Sequence, residues 1–217
     1  MSALLDILAR VPVVPVLVVE DAAQAAPLAR ALVAGGLDVL EVTLRTPAAL
    51  RVIEAMRAAV PDATIGAGTL TRPADFRDAA AAGAHFAVTP GFDPALGEAA
   101  SRAGLPLLPG VMTPSEILGA RAAGHAALKF FPAEPAGGAA MLRALAGPFP
   151  GVQFCPTGGI TRERAPQYLE LGNVVCVGGS WLAPRVLIEQ GDWRAIEQLA
   201  REAAALSPRN QMARAAL

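Results

Sequence analysis

The stretch "ALVAGGLDVLEVTL", residues 31–44, runs from an Ala/Leu-rich helical segment through a glycine stop into an apolar run alternating with polar residues. Glycine suits the left-handed position just past a helix, so the stop is sharp. The same order returns in "AAAAGAHFAVTP" (79–90), "SRAGLPLLPG" (101–110), "ARAAGHAALKFF" (120–131) and "LELGNVVCVGG" (169–179). Between these runs, Thr46-Pro47, Asp93-Pro94 and Thr113-Pro114 each set an N-cap residue before a proline suited to the first helical position. Thr161 before "RERAPQYLE" is a weaker case.

Strands are expected at 13–19, 39–45, 64–69, 85–90, 106–110, 126–132, 153–158 and 174–179. Their spacing of about 20–25 residues is what βα units require. Helices near 2–10 and beyond Trp181 flank the array. Eight such units predict an α/β chain of one domain, 1–217, folded as a (β/α)8 TIM barrel with a loose tail from about residue 207. The alternative is an open doubly wound sheet, but no GxGxxG follows the first strand.

With 53% hydrophobic and 17% charged residues, a sizeable core is expected and disorder is not. A net charge of −1 gives no global attraction to nucleic acid or anionic lipid, so any bound anion must be held locally. The start, "MSALLDILARVP", has no cationic leader, and charge, Pro or Gly breaks every apolar run short of a membrane span. A cytoplasmic protein is the expectation. Cys155 and Cys176 lack CxxC partners and read as buried free thiols. No HxH, HExxH or carboxylate pair points to a metal, and His85 and His125 open strands at the end away from a barrel's chemistry.

In "VLEVTLR", alternation sets Glu41, Thr43 and Arg45 on one face and Leu40, Val42 and Leu44 on the other. Leu and Val suit a helix-facing side, which turns Glu41, Thr43 and Arg45 inward. By the same reasoning Ala127, Lys129 and Phe131 point inward from "AALKFFP" (126–132). Lys129 is the only lysine of the chain; the other seventeen basic residues are arginine. A structural Glu41–Lys129 brace is one reading, but arginine is the usual choice for a permanent buried pair. Lysine alone can shed its proton and attack a carbonyl, and desolvation or a neighbouring cation such as Arg45 favours the neutral amine. Lys129 therefore reads as a nucleophile. "PTGGI" (156–160) and "VGGSW" (177–181) close the last two strands, where barrels often cradle phosphate on backbone N–H groups and a helix N-terminus.

With these residues in hand, the chain resembles the 2-keto-3-deoxy-6-phosphogluconate (KDPG) and 4-hydroxy-2-oxoglutarate aldolases. The resemblance runs in order through "EVTLRT", "IGAGTL", "FAVTPGF", "LLPGVMTPSE", "KFFPAE", "CPTGGI" and "VGGSWL". It implies a class I aldolase, usually homotrimeric and needing no metal or other cofactor. Lys129 would form the Schiff base and Glu41 would be the general acid/base. Arg45 and Thr69 would hold the pyruvyl carboxylate, with Pro90 and Phe131 lining the pocket. Gly158, Gly159, Gly179 and Ser180 would bind the phosphate. Thr89 and Thr161 stand where relatives often carry Ser, and both keep the hydroxyl. Two other readings remain open: a phosphosugar isomerase or synthase using Glu41 as a base without a covalent step, and a non-catalytic sugar-phosphate sensor.

Overall fold

The computed structural model describes residues 3–206, so the tail expected from about residue 207 lies outside the described residues. Helix α1 (Ala3–Leu8) leads into β1 (Val13–Leu17), α2 (Ala25–Ala34), β2 (Val39–Thr43), α3 (Ala49–Ala59) and β3 (Thr64–Gly68). The alternation continues through α4 (Pro73–Ala81), β4 (Phe86–Val88), α5 (Pro94–Ala103), β5 (Leu107–Leu108) and β6 (Gly110–Val111). After α6 (Pro114–Ala122) come β7 (Ala127–Phe130), α7 (Gly138–Leu145), β8 (Gln153–Pro156), α8 (Ala165–Leu169) and β9 (Val177–Gly179). Helices α9 (Arg185–Gln190) and α10 (Trp193–Ala204) follow.

Every strand pair is parallel. Six strands form one curled sheet in the order β5-β4-β3-β2-β1-β9, and β6-β7-β8 form a second. The α/β alternation and the flanking helices are as the sequence predicts, but a single uninterrupted eight-strand ladder is not what the hydrogen bonds form. The strand expected at 106–110 splits at Pro109, which has no N–H to give a ladder. The Pro109 carbonyl still accepts the Lys129 N–H at 2.8 Å, while the Gly110 N–H is donated to Thr89 Oγ1 at 3.3 Å. At the other junction, Phe154 and Val174, and Thr157 and Gly178, form isolated parallel bridges between β8 and the approach to β9.

The helix entries divide the same way. Asp93 caps α5 by accepting the Ala95 N–H at 2.7 Å, and Thr113 caps α6 in a reciprocal box with Glu116. Thr46 does not cap α3, which begins later at Ala49; its hydroxyl is donated to the Val19 carbonyl at 2.7 Å instead. That bond ties the loop after β2 to the end of β1. Thr161 likewise precedes its helix by a full turn, accepting the Arg164 and Ala165 N–H groups through its carbonyl.

Helix-facing side chains from each strand, Leu40 and Val42 of β2, Ile65 of β3, and Leu128 and Phe130 of β7, are fully buried. Inward positions are more mixed, with Glu41, Gly66 and Lys129 beside the large ring of Phe86. Gly66 of β3 pairs with Phe86 of β4, and a Cβ on Gly66 would lie 2.3 Å from the Phe86 ring. The ring is itself fully buried and has nowhere to go. Gly66→Ala is therefore expected to overpack this interior and cost about 1–3 kcal/mol, read as a lower urea midpoint at unchanged slope.

Candidate active site

Glu41 lies at the centre of β2 in the six-stranded sheet and Lys129 near the end of β7 in the three-stranded sheet. Their side chains meet with Lys129 Nζ 3.2 Å from Glu41 Oε1, and they are only 5% and 4% exposed. The inward reading of both residues holds because each strand's neighbours in sequence, Leu40 and Val42, Leu128 and Phe130, go to the helix layer. Space for the carboxylate comes from Gly68 at the end of β3. A Cβ there would stand 2.1 Å from Glu41 Oε1. The sequence signal for this was the alternate glycines of "IGAGTL", whose roles local pattern did not reveal. Thr43, also inward, donates its hydroxyl to the Leu17 carbonyl at 2.9 Å and braces β2 against β1.

Of the other expected residues, Phe131 stands beside this pair. Lys129 Nζ lies 5.3 Å from the centre of the Phe131 ring, within cation–π range. Phe131 and Pro90 are half-buried at the ends of their strands. Thr69 follows Gly68 directly and has φ +64°, a left-handed conformation uncommon for a β-branched residue and of a kind concentrated at functional sites. Arg45 differs from its sequence reading. β2 ends at Thr43, so Arg45 lies in the turn beyond it, exposed at the rim and not in the interior.

The two glycine pairs serve different purposes. Gly158 and Gly159 have φ of +105° and +78°, a turn that other residues adopt only under strain. Gly178 and Gly179 are needed for room: a Cβ on Gly178 would sit 2.2 Å from Thr157 Oγ1, and one on Gly179 would sit 2.2 Å from the Trp181 ring. The bridge between Thr157 and Gly178 brings the two turns side by side, with Ser180 exposed just beyond. The expected helix N-termini are not at these turns. Helices α8 and α9 are short and begin only at Ala165 and Arg185, several residues past Gly159 and Gly179.

Sequence reasoning missed what underlies the first turn. The Ala133 and Glu134 N–H groups are donated to the Thr157 and Gly158 carbonyls at 2.8 and 3.0 Å, stitching the Lys129 segment to the glycine turn. Glu134 accepts the Tyr168 hydroxyl at 2.7 Å and forms an ion pair with Arg164. Burial, the bond to Glu134 and that carboxylate's charge together push the Tyr168 phenol up. Cys155 and Cys176 are buried free thiols, but not isolated ones: their sulfurs are 3.5 Å apart, beside the Lys129 register position. The contact with Cys155 and burial push the Cys176 thiol up, which keeps it protonated and unreactive. Among the described residues no group of three or more His, Cys, Asp or Glu could hold a metal ion. None of the described helices is long and apolar enough to cross a membrane.

Set against known proteins, residues 4–199 match the family model for KDPG and KHG aldolase. The chain is 50% identical over 200 residues to a 2-dehydro-3-deoxy-phosphogluconate aldolase of Pseudoalteromonas atlantica, covering 92% of this chain and 93% of the relative. It is 49% identical over 198 residues to a KHG/KDPG aldolase of Escherichia coli K12, covering 91% and 93%. A crystal structure of the KDPG aldolase from Legionella pneumophila, with pyruvate captured as a covalent carbinolamine, superposes with a TM-score of 0.91 at 45% identity. That superposition covers 94% of this chain and 98% of the other.

The pair at the centre makes a prediction independent of any reaction. Removing one buried charge strands the other, so Glu41→Ala should cost about 3–5 kcal/mol by denaturant titration. The double variant Glu41→Leu with Lys129→Met should recover much of that loss. A cycle with no coupling between the two positions would mean that they do not share a buried ion pair.

Proposed function

The chain belongs to the KDPG and KHG aldolase family, and we propose from that membership and from the Lys129–Glu41 geometry that it is a class I aldolase. Its substrate would be 2-keto-3-deoxy-6-phosphogluconate, cleaved to pyruvate and glyceraldehyde 3-phosphate, with 4-hydroxy-2-oxoglutarate cleaved to pyruvate and glyoxylate as a second reaction. The observation that carries the reading is a lone lysine buried 3.2 Å from a buried carboxylate.

The chemistry follows from that contact. A proton moved from Lys129 to Glu41 leaves a neutral amine, which attacks the C2 keto carbon to form a carbinolamine. Loss of water, with Glu41 returning the proton, gives an iminium ion. Glu41 then takes the proton of the C4 hydroxyl through water. The C3–C4 bond breaks, its electron pair entering the iminium to form an enamine, and the aldehyde departs. Protonation at C3 and hydrolysis of the imine release pyruvate and restore Lys129. Arg45 at the rim and Thr69 beside Gly68 are suited to the pyruvyl carboxylate, with Phe131 and Pro90 bounding the methylene side. The Gly158–Gly159 turn and the Gly179–Ser180 segment would take the phosphate.

We take the two parallel sheets to close as one (β/α)8 barrel. The single residue between β5 and β6 and the bridges from β8 towards β9 support that closure. A cytoplasmic homotrimer completes the proposal, on the strength of the family resemblance.

Incubation with pyruvate followed by borohydride is expected to fix a reduced pyruvyl group on the Lys129 peptide, seen by mass spectrometry. Lys129→Arg should take no adduct and lose turnover by more than about 10³-fold, while Glu41→Gln should lose about 10²–10⁴-fold. A folded wild-type protein that takes no adduct would exclude the covalent mechanism.

A further inference from the structure

The proposed phosphate cradle has an acidic neighbour. Glu134 lies directly against it: a Cβ on Gly159 would stand 2.9 Å from Glu134 Cβ and 3.1 Å from its Cγ. Those contacts are made by the aliphatic part of the side chain; the carboxylate is turned towards the N-terminus of α7, where a Cβ on Gly138 would stand 3.9 Å from Glu134 Oε2. The carboxylate cannot simply swing away. Its backbone N–H is fixed to the Gly158 carbonyl, and one of its oxygens accepts the hydroxyl of Tyr168, whose side chain is fully buried.

Arg164 adds a positive charge to this arrangement. It pairs through Nη1 with Glu134 Oε2, and its side chain is 57% exposed, so the guanidinium sits at the rim with donors to spare. As a contribution to stability such a partly exposed pair is worth little, on the order of 0–1 kcal/mol. Its position is what matters. Tyr168 fixes Glu134, Glu134 fixes Arg164, and the chain of contacts ends with a cation paired to the residue that packs against Gly159. A planar guanidinium with free N–H groups is well suited to a phosphate oxygen pair.

We propose that Arg164 is a phosphate-binding residue of this enzyme, held beside the Gly158–Gly159 turn by Glu134 and Tyr168, and that it sets the preference for phosphorylated over unphosphorylated 2-keto acids. The inference rests on the aldolase reading above. Arg164 touches only the distal phosphate, so its loss weakens capture of the phosphorylated substrate and leaves the reacting carbons untouched.

The test compares the wild type with Arg164→Ala and Arg164→Lys, using both the phosphorylated substrate and 4-hydroxy-2-oxoglutarate, with inorganic phosphate binding measured separately by calorimetry. Arg164→Ala is expected to raise KM for the phosphorylated substrate by about 10- to 100-fold, the usual worth of a hydrogen bond to a charged group. Its kcat, and both constants for the unphosphorylated substrate, should stay within about twofold. Arg164→Lys should restore part of the loss, and phosphate binding should weaken in parallel. Equal losses on both substrates, or unchanged KM on both, overturn the proposal. A wild type that binds phosphate through Arg164 yet cleaves neither substrate sinks the aldolase reading while sustaining the anion site. Phosphate affinity indifferent to Arg164 sinks the anion site alone.

Discussion

Two opposite charges buried in a parallel β interior constrain everything placed around them. Lys129 and Glu41 can remain there only as partners, since either one alone would be an uncompensated charge in a low dielectric. They come from strands of two different sheets, and each reaches the other only if nothing bulky intervenes. Gly68 supplies the space for the carboxylate and Gly66 the space for Phe86. Around them the helix-facing positions carry much of the apolar burial, so the interior can hold a charged pair without emptying the core.

The same economy of space governs the rim. Gly178 yields to the Thr157 hydroxyl and Gly179 to the Trp181 ring, which lets two loops lie closer together than side chains would allow. The Ala133 and Glu134 backbone bonds then join the lysine-bearing segment to the first glycine turn. The segment that carries Lys129 and the rim are thereby tied together through their backbones. Strand ends hold the chemistry rigidly and loops shape what is admitted, the usual division of labour on a sheet of this kind.

How far the sequence announced this depends on the range over which each feature is determined. The order of helix, glycine and strand is local, and so is the alternation that turned Glu41, Thr43 and Lys129 inward. Both were legible. Strand length was less so. Arg45 fell on the correct parity but beyond the last residue of β2, because strand ends depend on pairing with neighbours and not on the pattern alone. Pro109 was visible as a proline, yet that it would divide one strand into two depended on where the Gly110 N–H found its acceptor. Thr46 looked like a cap and bonded Val19 instead, a contact between residues distant in the chain. The meeting of Cys155 with Cys176, and of Tyr168 with Glu134 and Arg164, is likewise tertiary. Nothing in a single linear sequence marks such pairs.

Charge accounting joins the two halves of the site. In the resting state Lys129 and Glu41 are a neutral sum. In the reaction proposed, the iminium keeps the positive charge on the same nitrogen with Glu41 still ionised, and the enamine loses it as the proton passes to Glu41. The Lys129–Glu41 pair therefore stays neutral in sum at each of those steps, so neither group is left as an uncompensated buried charge. In that reaction the charges that substrate brings would be met by groups at the rim: the carboxylate by Arg45, the phosphate by backbone N–H groups and by a guanidinium tethered to Glu134. Placing arginine at those outer positions and lysine only at the centre is what such a scheme requires, because an arginine cannot become the amine and a rim lysine could form a useless imine of its own.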